Sequence, residues 1–331
     1  MAVVLSFLIL SLFVASSLSA QPVEIGDGDL NFLMIGDWGG MPSPPYYTDA
    51  EHVLAGVMGD KAQEISSDFT VAMGDNFYTY GVKSVDDPRF KETFEDVFTA
   101  DSLQKRWYVF CGNHDHYGNA SAQVAYTQKS SRWYMPDLYY TETFKLNDSN
   151  GTTVQMVFID TVLLAGVTHP ELRSLPPSGP EIPNLADDQW AWIESTLKQS
   201  TADWLIVSGH YPVWSVAEHG PTDELVKNLR PLLIKYNVTA YFCGHDHDIQ
   251  HIKEDGSSVN YFVSGAGHLI DSSTEHEDKV PKGSLKYRYG TSSSSSDGAY
   301  NTVTITAQSM VVNFFNVKGE MIYTSTLDKT R

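Results

Sequence analysis

The sequence predicts an α/β fold, on three observations. Short apolar runs rich in β-branched and aromatic residues recur along the chain, most of them stopped by a glycine. Helix-like stretches separate them. From Tyr300 onward the pattern changes to three runs joined by tight turns.

The strand candidates, in order, are LNFLMIG (30–36), FTVAMG (69–74), RWYVFCG (106–112), VQMVFID (154–160), DWLIVSG (203–209), TAYFCG (239–244) and NYFVSG (260–265). Their near-continuous apolar character predicts sheets covered on both faces. Helices are expected at 49–65, 88–98, 187–199 and 222–236, the last with a break at Pro231. YNTVTITAQ, SMVVNFFNV and EMIYTSTL, between Tyr300 and Leu327, read as antiparallel strands. Two loops stand out. Residues 165–188 are proline-rich and too long for a plain connector; residues 289–300 read as a serine-rich solvated turn with no role in function. No composition shift divides the chain, so residues 21–331 read as one domain.

The opening MAVVLSFLILSLFVASSLSAQP carries no charge and ends in small residues, the pattern of a signal peptide over residues 1–20. Its serines argue against an uncleaved anchor, and no span is expected after its removal. Secretion suits the sequons at Asn119, Asn147, Asn150 and Asn237, of which Asn119 and Asn237 are the expected glycan acceptors. Cys111 and Cys243 each precede a motif glycine; a disulfide and two buried thiols are both open readings. A net charge of −19 excludes nucleic acid and anionic membrane as partners.

Chemistry gathers at the strand ends. GDWG supplies Asp37, GDNFY supplies Asp75 and Tyr78, GNHDH supplies Asn113 and His114, SGH supplies His210, and GHDH supplies His245 and His247. Parallel strands bring such ends to one edge, where α/β folds build their sites. In an extended GHDH segment the two histidines would share a face. Asp37, Asp75, Tyr78, Asn113, His210, His245 and His247 exceed what one octahedral ion can use, whereas two ions about 3.5 Å apart sharing a carboxylate can employ them all. Tyrosine keeps its proton to about pH 10, so a phenolate ligand points to a hard trivalent ion such as Fe(III).

This ordered motif set resembles the purple acid phosphatases, and the stretches GNHDHYGNASAQVAY and SGHYPVWSVAEHGPT resemble their small, tartrate-resistant animal type. The similarity runs from about residue 28 to the C-terminus. Where the wider metallophosphoesterase superfamily commonly has a histidine in the first motif, this chain has Gly39, and it has Tyr78 after the second. The resemblance implies a four-layer αββα sandwich of two mixed sheets. It implies Fe(III) on Asp37, Tyr78 and His247, a bridging Asp75, and a divalent ion (Fe(II), alternatively Zn or Mn) on Asn113, His210 and His245. It also implies hydrolysis of phosphate monoesters by metal-hydroxide attack in a secreted or lysosomal monomer, with His114 and His219 binding phosphate or protonating the leaving oxygen.

Loop 165–188 corresponds in position to a loop cut by activating proteases in mammalian relatives. Relatives tie it by a disulfide, where this chain has Ala165 and Glu224. His116 is a weaker candidate, and His52, His169, His251, His268 and His276 read as structural or surface residues. Two other functions weigh against hydrolysis of monoesters: redox cycling at the same iron, and a non-catalytic glycoprotein that keeps the fold. The second predicts a lost ligand, and none is lost. Tyr78 and the acidic surface disfavour a phosphodiesterase or nuclease.

Overall fold

The computed structural model describes residues 21–26, 28–168, 176–290 and 293–331. Residues 1–20 (expected as a signal peptide), His169 and the middle of the proline-rich loop lie outside the described residues. In chain order the strands are β1 (Val23–Glu24), β2 (Leu30–Ile35), β3 (Phe69–Met73), β4 (Trp107–Phe110), β5 (Trp133–Tyr134), β6 (Tyr140–Lys145), β7 (Thr153–Phe158) and β8 (Trp204–Ser208). They continue with β9 (Ala240–Cys243), β10 (Ile249–Ile252), β11 (Asn260–Ser264), β12 (Leu285–Tyr289), β13 (Ala299–Ile305), β14 (Ser309–Asn316) and β15 (Met321–Asp328). The α-helices are α1 (Asp49–Glu64), α2 (Asn113–His116), α3 (Ala120–Tyr126), α4 (Thr161–Ala165), α5 (Pro183–Gln199) and α6 (Arg230–Lys235).

Two mixed sheets result. One runs β15-β14-β13-β2-β3-β4-β5 and the other β1-β6-β7-β8-β9-β11-β10-β12. Strands β2 to β5 are mutually parallel, as are β7, β8, β9 and β11, while β13 to β15 form the expected antiparallel end. Side chains alternate between layers. Phe32 and Met34 pack between the sheets with Ile206, Phe242 and Phe314, whereas Leu33 and Ile35 face Leu54 and Met58 of α1. On the other sheet, Leu205, Val207 and Tyr241 face Ile193 and Leu197 of α5. Each such buried aliphatic or aromatic side chain contributes about 1.5–3 kcal/mol. The sequence therefore reads as unbroken apolar runs because both faces of each central strand are covered. The layers are helix, sheet, sheet, helix, as expected.

The helices differ in detail. Thr48 caps α1 in a reciprocal box with Glu51. The 88–98 prediction is realised as a π-helical turn over Phe90–Glu95, and Arg132 donates to its Phe94 and Glu95 carbonyls and to Phe98 O just beyond it. A second π-turn, Leu225–Leu229, precedes α6, so the expected break at Pro231 falls one turn early and proline sits in the first turn of α6. Helix α5 begins at Pro183, which shortens the proline-rich loop from its predicted end at 188. Among the described residues no helix is long and apolar enough to cross a membrane. Cys111 and Cys243 are free and buried at the ends of strands in different sheets, which settles the open choice in favour of thiols. Burial raises both thiol pKa values, with neighbouring carboxylates adding to the effect.

Candidate active site

Every motif lands where its strand ends. Asp37 follows β2, Asp75 and Tyr78 follow β3, and Asn113 and His114 follow β4; from the other sheet, His210 follows β8, and His245 and His247 follow β9. The strand ends of the two face-packed sheets thus converge at this point. Glycine is required where side chains lie directly on the turn backbone. A Cβ on Gly112 would run into the Asp75 carboxylate, and one on Gly244 into that of Asp37.

The carboxylates are held by backbone donors. His245 N donates to Asp37 Oδ2 at 2.8 Å, and His114 N donates to Asp75 Oδ1 at 2.9 Å. Asp37, Asp75 and His245 adopt left-handed φ values of 56°, 51° and 73° to make this possible. The last value corrects the expectation of an extended GHDH segment: β9 ends at Cys243, and a turn brings His245 and His247 into one cavity. Asp246, between them, faces the opposite way, where Oδ1 accepts from His219 N at 2.8 Å and Oδ2 accepts from Ser215 Oγ.

Two groups of donors share this cavity. In the first, Tyr78 Oη donates to Asp37 Oδ1 at 2.9 Å and lies 3.0 Å from His247 Nε2, which is itself 3.4 Å from Asp37 Oδ1. In the second, His210 Nε2 lies 3.0 Å from Asn113 Oδ1 and 3.4 Å from Asp75 Oδ1. Ligand atoms of Asp37, Asp75 and His210 all fall within 4.8 Å of one another, so the groups join into one cluster. His210 Nδ1 donates to Met73 O at 3.0 Å, and His114 Nδ1 donates to Thr79 O at 2.7 Å. Both rings therefore present Nε2 to the cluster. The His245 ring stacks on that of His219 with centroids 4.0 Å apart.

Electrostatically the cluster requires positive charge. Asp37 is fully buried, and among the described residues neither Asp37 nor Asp75 is ion-paired to a lysine or arginine. Burial, with Asp75 beside it, pushes Asp37 up to about 8, against the pull of His210. Burial works against a charged His210, yet Asp75 and Asp37 outweigh it and push this ring up to about 10. Burial, Asp37 and Asp75 together hold the Tyr78 phenol well above its ordinary value. His247 is pushed down to about 3 by burial and by His219, and His245 is lowered by the same causes, so both rings keep their lone pairs. A cation would satisfy the two carboxylates, meet neutral imidazoles and compete for the phenol proton; the residues present fit a metal centre.

Residues outside the expected ligand set support this arrangement. Asp115, fully buried, accepts from Gly112 N at 2.8 Å, Asn76 N at 3.1 Å and Gln123 Nε2 at 2.8 Å, fastening the turns after β3 and β4. Asp115→Ala is expected to lower the unfolding free energy by about 3 kcal/mol in urea titrations, because three buried donors lose their acceptor. Arg89 donates to the carbonyls of Gly39 and Tyr78. His268 stacks on Tyr78 at 4.2 Å, consistent with a structural role, and its Nδ1 donates to Asp37 O at 2.9 Å. His116 pairs with Asp160 at 2.8 Å, outside the cluster.

The cavity encloses about 350 Å³. Asp75, Asn113, His245 and His247 form its floor and His114 and His219 its sides. Ser293, Ser294 and Ser295 of the serine-rich turn also line it, with Ser293 and Ser295 exposed as the sequence reading expected. The turn is tied down by backbone hydrogen bonds, Ile270 with Ser294 in both directions at 2.8 and 2.9 Å and Ala50 N to Ser295 O at 3.2 Å. A composition signal cannot register such long-range pairing.

Fold and site define a calcineurin-like phosphoesterase, and the family model of that description matches residues 30–248. The chain belongs to the purple acid phosphatases, in the group of the tartrate-resistant type 5 enzymes. It is 45% identical over 301 residues to tartrate-resistant acid phosphatase type 5 of Oryctolagus cuniculus, covering 91% of each chain. It is 32% identical to purple acid phosphatase 17 of Arabidopsis thaliana, covering 90% of this chain and 84% of that one. Among solved structures, GAP50, the anchor in the inner membrane complex of Plasmodium, shares the fold at a TM-score of 0.77 and 24% identity, covering 92% and 90% of the two chains. The protein is an enzyme, an acid phosphatase acting on phosphate esters.

Proposed function

We propose that this chain hydrolyses phosphate monoesters at a dinuclear Fe(III)–M(II) centre, as a secreted or lysosomal monomer. Asp37, Tyr78 and His247 would hold Fe(III); Asn113, His210 and His245 would hold the divalent ion, Fe(II) or alternatively Zn or Mn; Asp75 would bridge. The observation that carries the reading is the double contact of Tyr78 Oη with Asp37 and His247, beside a second donor group that reaches it through Asp75. A phenol held protonated by burial and two carboxylates gives up its proton only to a hard, highly charged cation, which favours a trivalent ion there.

When bound, the ion pair supplies charge neutralisation for the phosphoryl oxygens and a nucleophile available below neutral pH. The chain does the rest. In-line attack breaks the phosphorus–oxygen bond to the alcohol, and the departing oxygen must gain a proton. His114 and His219 flank the cavity for that task. His114 is oriented by Thr79 O, with Nε2 facing the cluster, and His219 is held at its backbone nitrogen by Asp246.

In the same reading, residues 1–20 are a leader and residues 21–331 one functional unit. Asn119 and Asn237 are both exposed, as glycan acceptors must be. Nicking within loop 165–188 would raise activity.

The visible absorption spectrum tests the assignment. The wild-type protein is expected to be coloured, with a charge-transfer band that shifts on mild reduction and vanishes in Tyr78→Phe. A colourless wild type carrying two metal equivalents would overturn the iron–tyrosinate assignment.

A further inference from the structure

Beyond the donor atoms themselves, the lining of the cavity carries a charge pattern of its own. Glu218 and Asp271 line the same cavity as Ser293, Ser294 and Ser295, and no lysine or arginine joins them among its described lining residues. Glu218 makes no hydrogen bond or ion pair among the described residues, so its carboxylate is available to a ligand. Asp271 Oδ2 accepts from Ser293 Oγ at 3.2 Å and its Oδ1 from Ser273 N at 2.6 Å, while its backbone nitrogen donates to His247 O at 2.7 Å. The acidic wall is thereby fixed to the backbone of the donor cluster.

Arg288 holds the wall from behind without presenting charge to the cavity. Its Nε donates to Asp248 Oδ2 at 2.8 Å, its Nη1 to Gly290 O at 2.7 Å, and its Nη2 to Ser273 O at 2.8 Å and Asp271 O at 3.3 Å. The guanidinium is thus committed to one carboxylate and three carbonyls. What remains is a cavity whose donor cluster suits the phosphoryl group and whose other lining residues offer carboxylates and serine hydroxyls to the rest of the ester.

We propose that this wall selects the leaving group by charge: the preferred substrates are phosphorylated serine or threonine segments flanked by lysine or arginine, and esters with an anionic leaving group are disfavoured. The inference rests on the phosphomonoesterase reading above and adds to it the class of substrate. A cationic side chain beside the phosphoester finds the Glu218 carboxylate and the serine hydroxyls as acceptors, whereas a second anionic group meets repulsion in a partly enclosed site.

The experiment compares two phosphoserine peptides of equal length, one flanked by arginine and one by glutamate, with a neutral aryl phosphate as reference, all on the metal-loaded enzyme. Wild-type kcat/KM is expected to favour the arginine peptide by about tenfold. Glu218→Gln should cut that ratio to about a third, and Glu218→Lys should invert it. Asp29→Asn, an exposed acid at the start of β2, should leave the ratio as in wild type, which separates the local wall from the net charge of −19. Equal rates on both peptides, or a ratio untouched by Glu218→Lys, with the aryl phosphate still hydrolysed, would overturn this inference and leave the phosphatase reading standing. Loss of turnover on all three substrates by loaded wild-type enzyme would remove both.

Discussion

Asp75→Asn is expected to lower kcat/KM for an aryl phosphate by at least about 10³-fold, equivalent to about 4 kcal/mol of transition-state stabilisation. Asp75 joins the two donor groups, its ligand atom lying within 4.8 Å of those of Asp37 and His210. Its Oδ1 lies 3.4 Å from His210 Nε2 and accepts the His114 backbone N–H, and its Oδ2 lies 3.9 Å from His114 Nε2. Burial would raise its pKa, but His210 and His114 outweigh burial and hold the carboxyl well below the ordinary range, so it is anionic throughout the working range of pH. Asparagine fits the same space and removes that charge from the point where the two groups join. The expected accompanying change is a metal content below two equivalents per chain, measured by elemental analysis, with an unaltered far-ultraviolet circular dichroism spectrum. Retention of both the rate and two metal equivalents would show that Asp75 does not bridge.

Why was so much of this site legible before any coordinates? Chemical donors at the C-terminal ends of parallel strands are displayed in sequence order, and each glycine beside them records a close approach of side chain to backbone. The legible parts are those set by local sequence: the period of the apolar runs, the helix expected from residue 49 and the five strand-end motifs. The missed parts depend on distant pairing. Strands β6, β10 and β12 read as YTETFK, IQHI and LKYRY, mixed in polarity because they lie toward or at sheet edges, and no apolar run announces them. Asp115 and Asp246 sit inside motifs whose neighbours drew the chemical reading; each turns away from the cluster, Asp115 to accept from Gly112 N and Asn76 N and Asp246 from His219 N. The serine-rich turn is solvated as read, but its backbone pairing with Ile270 and Ala50 was not legible because those partners are far away in the chain.

The second large effect lies away from the cluster, in a pH dependence of stability. His251 on β10 bridges the two sheets: Nε2 donates to Asn260 Oδ1 at 3.0 Å, and Nδ1 accepts from the Tyr323 hydroxyl of β15 at 2.8 Å. The ring stacks on Phe262 with centroids 4.4 Å apart. This hydrogen-bond pattern uses the neutral tautomer completely, since a proton on Nδ1 would face a hydroxyl that now donates. Burial pushes the pKa from 6.5 down to about 4; the Asn260 hydrogen bond opposes the shift, and Lys253 and Lys286 reinforce it. A depressed histidine contributes stability that is fully present above its unfolded pKa of 6.5 and is lost as pH falls from there to its folded value of about 4, because the unfolded chain takes up the proton first. The loss amounts to about 2 kcal/mol by pH 5 and about 3 kcal/mol by pH 4. Urea unfolding of wild type and His251→Gln between pH 7 and pH 4 isolates the contribution. The variant keeps a donor and an acceptor but does not titrate, so its stability should start lower at pH 7 and decline less steeply, converging on wild type in acid. Parallel curves would mean that His251 titrates alike in the folded and unfolded chains. For an enzyme that works in acid, the converging result would place a cost of low pH in the seam between the sheets rather than at the centre that does the chemistry.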